Sequence, residues 1–164
     1  MAFVMLVPFK TRRRFPELSY ANDSQPPAVR AFIRGVEALA GRDRFAGLYE
    51  RWRSEIFPTG DRVFAGMLDL IDLRVRRCGA APEIAPDQPL VIVANHPFGI
   101  GDGIAILSLA ESLGRPFKVM IHADLLRVSE MADYALPVDF SETRDALKRN
   151  MEVRHEALRL LREG

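Results

Sequence analysis

The sequence predicts an α/β fold, with a helical N-terminal layer (residues 1–80) followed by a sheet-forming half (residues 81–164). Two observations predict it. From Pro27 to about Arg77 apolar residues recur at helical spacing. After a proline-rich linker, 79–89, short β-branched runs alternate with helical ones. Composition agrees with a globular chain: of 164 residues 48% are hydrophobic and 27% charged, with both signs mixed. A net charge of +1 argues against a dedicated nucleic-acid binder.

Each element follows from its spacing. The first helix opens at Pro27, carries Val29, Phe32, Ile33, Val36 and Leu39 on one side, and stops at Gly41. A second, Asp43 to Ile56, aligns Phe45, Leu48, Tyr49, Trp52 and Ile56 until Pro58 ends it; such a stripe is read as core packing. A third, Asp61 to Arg77, uses Phe64, Leu68, Ile71 and Val75. Leu90 to Ala94 is an unbroken apolar run, as expected of a strand buried on both faces. Asn95 to Gly103 is a glycine-rich loop and Ile104 to Leu113 a helix. Strands are expected at Phe117–Ile121 and Ala135–Val138. Asp139 and Glu142 have capping-box spacing and open a long helix that turns Leu147, Met151, Leu158 and Leu161 inward.

No run approaches the roughly 20 apolar residues of a membrane span. Met1–Phe9 is apolar but precedes its basic cluster, Lys10 and Arg12 to Arg14, the reverse of a secretory signal. Two readings of it stay open: a frayed terminus, or a segment that dips into an anionic bilayer surface. The single cysteine, Cys78, excludes an intramolecular disulfide and suits a reducing compartment.

The chemistry concentrates in Asn95-His96-Pro97-Phe98-Gly99-Ile100-Gly101-Asp102-Gly103, directly after the first expected strand. Ligands of open α/β sheets bind beyond the carboxyl ends of strands. Pro97 stiffens the exit, and three glycines let the chain turn tightly enough to bring Asp102 back toward His96. A carboxylate bonded to one ring nitrogen fixes the tautomer and raises the basicity of the other. That nitrogen then takes a proton from a hydroxyl or amine attacking an acyl carbonyl. No serine or cysteine stands beside the pair, which favours direct transfer from a thioester over an acyl-enzyme. Taken alone, a histidine followed by an aspartate would be read as a core residue and a helix cap.

This block resembles the Asn-His-Pro signature of the lysophospholipid/glycerolipid acyltransferase superfamily. More narrowly, Ala94 to Gly99 followed by Asp102-Gly103 is similar to the haemolysin-like branch that includes ornithine-lipid acyltransferases. Leu18-Ser19-Tyr20-Ala21, Ile33-Arg34-Gly35-Val36-Glu37, Gly41-Arg42 and Leu48-Tyr49-Glu50-Arg51-Trp52 resemble that branch's helical N-terminus, and Leu136 to Ser141 its second block. The resemblance implies the first half of an acyltransferase α/β domain, with His96 as general base and Asp102 its partner. It further implies Asn95, Phe98, Gly99, Gly101, Gly103 and Arg144 as substrate-binding candidates. No bound cofactor or metal is expected, with acyl-CoA or acyl-carrier protein as co-substrate and a lysolipid as acceptor. The expected place is the cytoplasmic side of the cell membrane, peripherally attached.

Three departures bear on this. Five residues separate His96 from Asp102, one more than the wider superfamily keeps and a mark of the narrower branch. Phe140 stands where glycerol-phosphate enzymes present an arginine, which favours an amino-acid lipid or other lysolipid; Arg144 is the substitute considered. The family's Phe-Pro block is absent, so the chain is expected to lack the C-terminal part of the domain. A truncated, non-catalytic relative that binds lipid or a partner is the alternative. A dinucleotide loop at Gly99–Ile104 is disfavoured by Asp102, which would repel a pyrophosphate. A zinc site of His96, Asp102 and His122 is disfavoured because His122 lies on another strand end.

Overall fold

A computed structural model describes residues 19, 21, 23–39, 42–80, 83–85, 88–95 and 99–163, the side chains of 37–39 and 42–44 excepted. The architecture mixes helices with a small two-stranded parallel sheet. Contacts divide the chain into two compact units, Met1–Gly47 and Leu48–Gly164. No described helix is long and apolar enough to cross a membrane.

The first unit contains α1, Pro27–Leu39. Proline suits its first turn because the missing N–H would have no helical acceptor there. Arg30 reaches back to pair with Asp23 at 2.8 Å. Helix α2, Arg42–Arg51, follows.

In the second unit the winding loosens into a π-helical turn, Trp52–Ile56, and then tightens into a 3₁₀ turn, Phe57–Thr59. The helix expected to reach Ile56 thus loses its regular winding at Trp52. Trp52 is buried, and its indole N–H donates to the Val63 carbonyl at 2.7 Å. Tyr49 stacks on it and Phe57 meets it edge-on. Gly60, at φ 68°, ends the turn in the left-handed region that glycine enters freely.

Helix α3 runs only from Val63 to Leu70, not from Asp61 to Arg77. Its end explains the difference. The Leu73 N–H bonds to the Leu68 carbonyl while Asp72 takes a left-handed φ of 52°, a Schellman closure that stops the helix. Val63, Phe64 and Leu68 are buried, whereas Val75, expected on the same stripe, lies past the stop and is exposed.

Helix α4, Ile100–Glu111, packs on α3. The Glu111 carboxylate accepts the Phe64 and Ala65 N–H groups at 3.2 and 3.0 Å. It thereby caps α3 from another helix, next to the partial positive charge of the α3 N-terminus. Arg62, the residue preceding α3, provides no side-chain cap.

The sheet pairs β1, Val119–His122, with β2, Ala135–Val138, in parallel, from Val119 opposite Ala135 to His122 opposite Val138. Two 3₁₀ turns, Ala123–Arg127 and Ser129–Met131, make the crossover. Rings of Phe64, Phe117 and Tyr134 meet in a three-way cluster that joins α3 to the residues entering each strand.

Leu90 to Ala94 does not form the expected buried strand. Among the described residues it makes no backbone hydrogen bond, and Val91 and Val93 are 63% and 87% exposed. An apolar run becomes a central strand only when a neighbour pairs its edge and layers cover its faces; here neither β1 nor β2 takes it up.

Helix α5, Arg144–Glu163, is also opened differently from the expectation. The Thr143 hydroxyl oxygen accepts the Ala146 N–H at 3.1 Å and caps the helix, in place of an Asp139–Glu142 box. The inward face is rotated as well. Ala146 is fully buried and Asn150, Val153, Ala157 and Leu160 are half-buried, while Leu147, Met151 and Leu158 are exposed; of the four residues expected inward only Leu161 is half-buried.

Candidate functional site

His96 and Phe98 lie outside the described residues, and Asn95 is exposed in an irregular segment. Gly99 has φ 64° and ψ −123°, a backbone conformation that side chains disfavour, and it occupies the residue before α4. Its carbonyl accepts the Gly103 N–H at 3.1 Å, so the helix begins at Ile100. The expected loop is therefore shorter than drawn: Ile100 to Gly103 form the first turn of α4.

This changes what the glycines do. Of Gly99, Gly101 and Gly103, only Gly99 uses a left-handed φ. Gly101 is helical, and a Cβ there would stand 3.1 Å from Leu73 Cδ1, the residue just beyond the Schellman closure of α3. Its small size serves helix packing. A Cβ on Gly103 would meet nothing within 4 Å.

Asp102 is half-buried in the first turn of α4. An acidic residue in the first turn lies at the positive end of the helix dipole. The first-turn amides suit negative charge developing on a bound carbonyl oxygen.

A second group gathers at the carboxyl ends of the strands. His122 closes β1, and its Nδ1 accepts the Asp124 N–H at 3.0 Å, leaving Nε2 as the protonated nitrogen of the neutral ring. The ring stacks on Phe140 at 5.3 Å between centroids. Asp139, first after β2, accepts from the Ser141 N–H and hydroxyl at 2.9 and 2.7 Å and pairs with Arg149. The Ser141 bonds, with the Arg149 bond and charge, hold its carboxyl far below the usual aspartate range. Asn150 clasps the Asp139 backbone, donating to its carbonyl at 2.7 Å and accepting from its N–H at 2.9 Å. Arg144 is exposed and its side chain makes no ion pair among the described residues.

No protein-family model, curated protein or solved structure matches the chain.

Two loci thus stand at strand or helix ends: the turn into α4, with Gly99 and Asp102, and the His122–Phe140 stack. From the sequence His122 is expected as a site-wall or surface residue rather than a zinc ligand. Among the described residues no three His, Cys, Asp or Glu side chains are placed to share a metal ion. The stack with Phe140 had one legible signal, that both residues follow expected strands in parallel order.

Proposed function

We propose that this chain is the His-Asp half of a lipid acyltransferase, moving a fatty acyl group from an acyl thioester to a lysolipid hydroxyl. The observation that carries the reading is the nine-residue run Asn95–Gly103 leading, through left-handed Gly99, into a helix whose first turn holds Asp102. His96 removes the proton as the acceptor hydroxyl attacks the thioester carbonyl. The tetrahedral intermediate then collapses, breaking the carbon–sulfur bond, and the departing thiolate takes the proton from the imidazolium. Asp102 orients the ring and stabilises its charged form. First-turn amides of α4 serve the oxyanion, with Asn95, Phe98, Gly99, Gly101, Gly103 and Arg144 as the substrate-binding candidates. The donor is acyl-CoA or acyl-carrier protein and the acceptor a lysophospholipid or ornithine-type lysolipid. A soluble donor and a membrane-borne acceptor put the reaction at the cytoplasmic face of the membrane, the protein attached peripherally. The fold belongs, on this reading, to the first half of an acyltransferase domain.

The test is thioester turnover with a panel of lysolipids. His96→Ala is expected to lower the rate by about 10²–10⁴-fold with the fold retained. Asp102→Asn should impair less and move the rise of the pH–rate profile to lower pH, because the imidazole loses a neighbouring negative charge. Wild-type rates in both variants would sink the assignment.

A second reading has its own support. Among the described residues the run leading to His96 makes no backbone hydrogen bond, and its Val91 and Val93 are exposed rather than held in a sheet. A relative that binds lipid or a partner without turnover has no need of a rigid base. Saturable lysolipid binding with no thioester consumed would favour it.

A further inference from the structure

We propose that α5 is an interfacial helix whose exposed flank docks on an anionic phospholipid bilayer. The proposal deepens the lipid reading above and rests on it only for the class of surface.

The helix has 20 residues and lies over the sheet by its Ala146–Asn150–Val153–Ala157 side. At about 3.6 residues per turn, Leu147, Leu158 and Met151 fall within about 40° of one another. They form a ridge, 64%, 39% and 40% exposed respectively. Arg154 borders the ridge on one side; Arg144, Arg162, His155 and Lys148 border it on the other. Every residue on this arc of about 120° is apolar or basic, and Glu152, Asp145 and Glu163 all fall outside it.

Charge pairing follows the same division. Arg149 and Arg159 lie off the arc, and both are neutralised, by Asp139 and by Glu156 and Glu163. Arg144, Lys148, Arg154 and Arg162 lie on it and make no ion pair among the described residues. The acids on and before the helix thus leave one strip of single sign, wrapped around an apolar ridge. A helix lying in a bilayer interface has this pattern: apolar side chains enter the acyl boundary while long basic ones lift their charges to the phosphates. A helix of this length lies flat over about 30 Å, enough for several headgroups. An acidic protein surface is the competing occupant, but it would set acids against the ridge's flanks at fixed points. The flanks here repeat along the whole helix, as a laterally uniform surface allows.

The test is co-sedimentation of the full chain with vesicles of phosphatidylcholine and phosphatidylglycerol in equal parts, compared with phosphatidylcholine alone. Wild type is expected to bind the anionic vesicles and to lose that binding in high salt. Each basic residue near such a surface contributes about fivefold. The combination Lys148→Gln, Arg154→Gln, Arg162→Gln should therefore weaken partitioning on the order of 100-fold. Leu147→Ser with Met151→Ser should weaken it about tenfold or more by removing the inserted ridge. Arg159→Gln, off the arc, should not. Circular dichroism reports whether each variant is folded. Should the serine variant unfold, Leu147→Cys in a Cys78→Ser background, carrying an environment-sensitive dye, should shift to the blue on anionic vesicles while Asp145→Cys does not. No vesicle binding by wild type, equal binding to neutral vesicles, or equal binding by the arc variants overturns the proposal. Vesicle binding is read without turnover, so a failure of acyl transfer leaves it standing. Conversely, turnover of dispersed lysolipid by an arc variant that no longer binds vesicles separates docking from catalysis.

Discussion

Glu130 shows how one buried charge is held. The residue is 7% exposed, yet Tyr49 donates to its side chain at 2.8 Å, Ser129 at 3.1 Å, and Arg53 pairs with it at 2.6 Å. Burial alone raises its pKa. The hydrogen bonds from Tyr49, its own backbone and Ser129, together with the Arg53 charge, outweigh that and keep it below the ordinary glutamate value. A carboxyl with a depressed folded pKa gives stability above its unfolded pKa and loses it as pH falls through the folded one. The expected window starts near the ordinary value, about 4.3, and extends downward. Glu130→Gln should cost about 1–3 kcal/mol at neutral pH, since it weakens bonds to a charged acceptor. It should also flatten the fall of stability within that window. Denaturant unfolding across a pH series measures both, and an unchanged acid slope would show that Glu130 is not a source of the acid sensitivity.

At the level of elements, the strands Val119–His122 and Ala135–Val138 and the helices around Pro27, Val63 and Leu107 were legible, because periodicity reports them directly. The register of α5 was not. Its sequence places leucines at both Leu147 and Leu160, and the expected face followed the larger side chains. The observed face centres on Ala146 and Ala157, small residues that let the helix approach closely, with Asn150 bonded back to Asp139. Asn150 is polar, so hydrophobic spacing alone points away from it. The turn into α4 was not legible: the glycines of Asn95–Gly103 read as loop formers, and of Gly99, Gly101 and Gly103 only Gly99 has that role. The α5 register has a direct test. Ala146→Leu should destabilise by about 1–3 kcal/mol through overpacking. Leu147→Ala should stay within about 0.5 kcal/mol, as exposed substitutions do. The reverse ranking in denaturant melts would restore the face first expected.

For the whole molecule, stability is expected to be uneven. The Trp52, Val63, Phe64 and Leu68 cluster, the paired strands and the Glu111 cap hold the second unit together, while Leu90 to Ala94 makes no backbone hydrogen bond among the described residues. Amide hydrogen exchange should therefore find Val91 to Ala94 unprotected and the ladder amides of β1 protected. Protection at Val91 to Ala94 equal to that of β1 would mean that the segment is paired in solution. Its exposure has another consequence. A bare, β-branched run is an adhesive edge on which a second chain can lay a strand, and Val91 and Val93 would reward the contact. The sequence brackets it with Pro89 on one side and Pro97 on the other. Proline donates no ladder hydrogen bond, so any strand laid along this run is interrupted at both ends. Those two prolines act as gatekeepers: they cap the length of a stray cross-chain ladder and restrain its growth toward fibril.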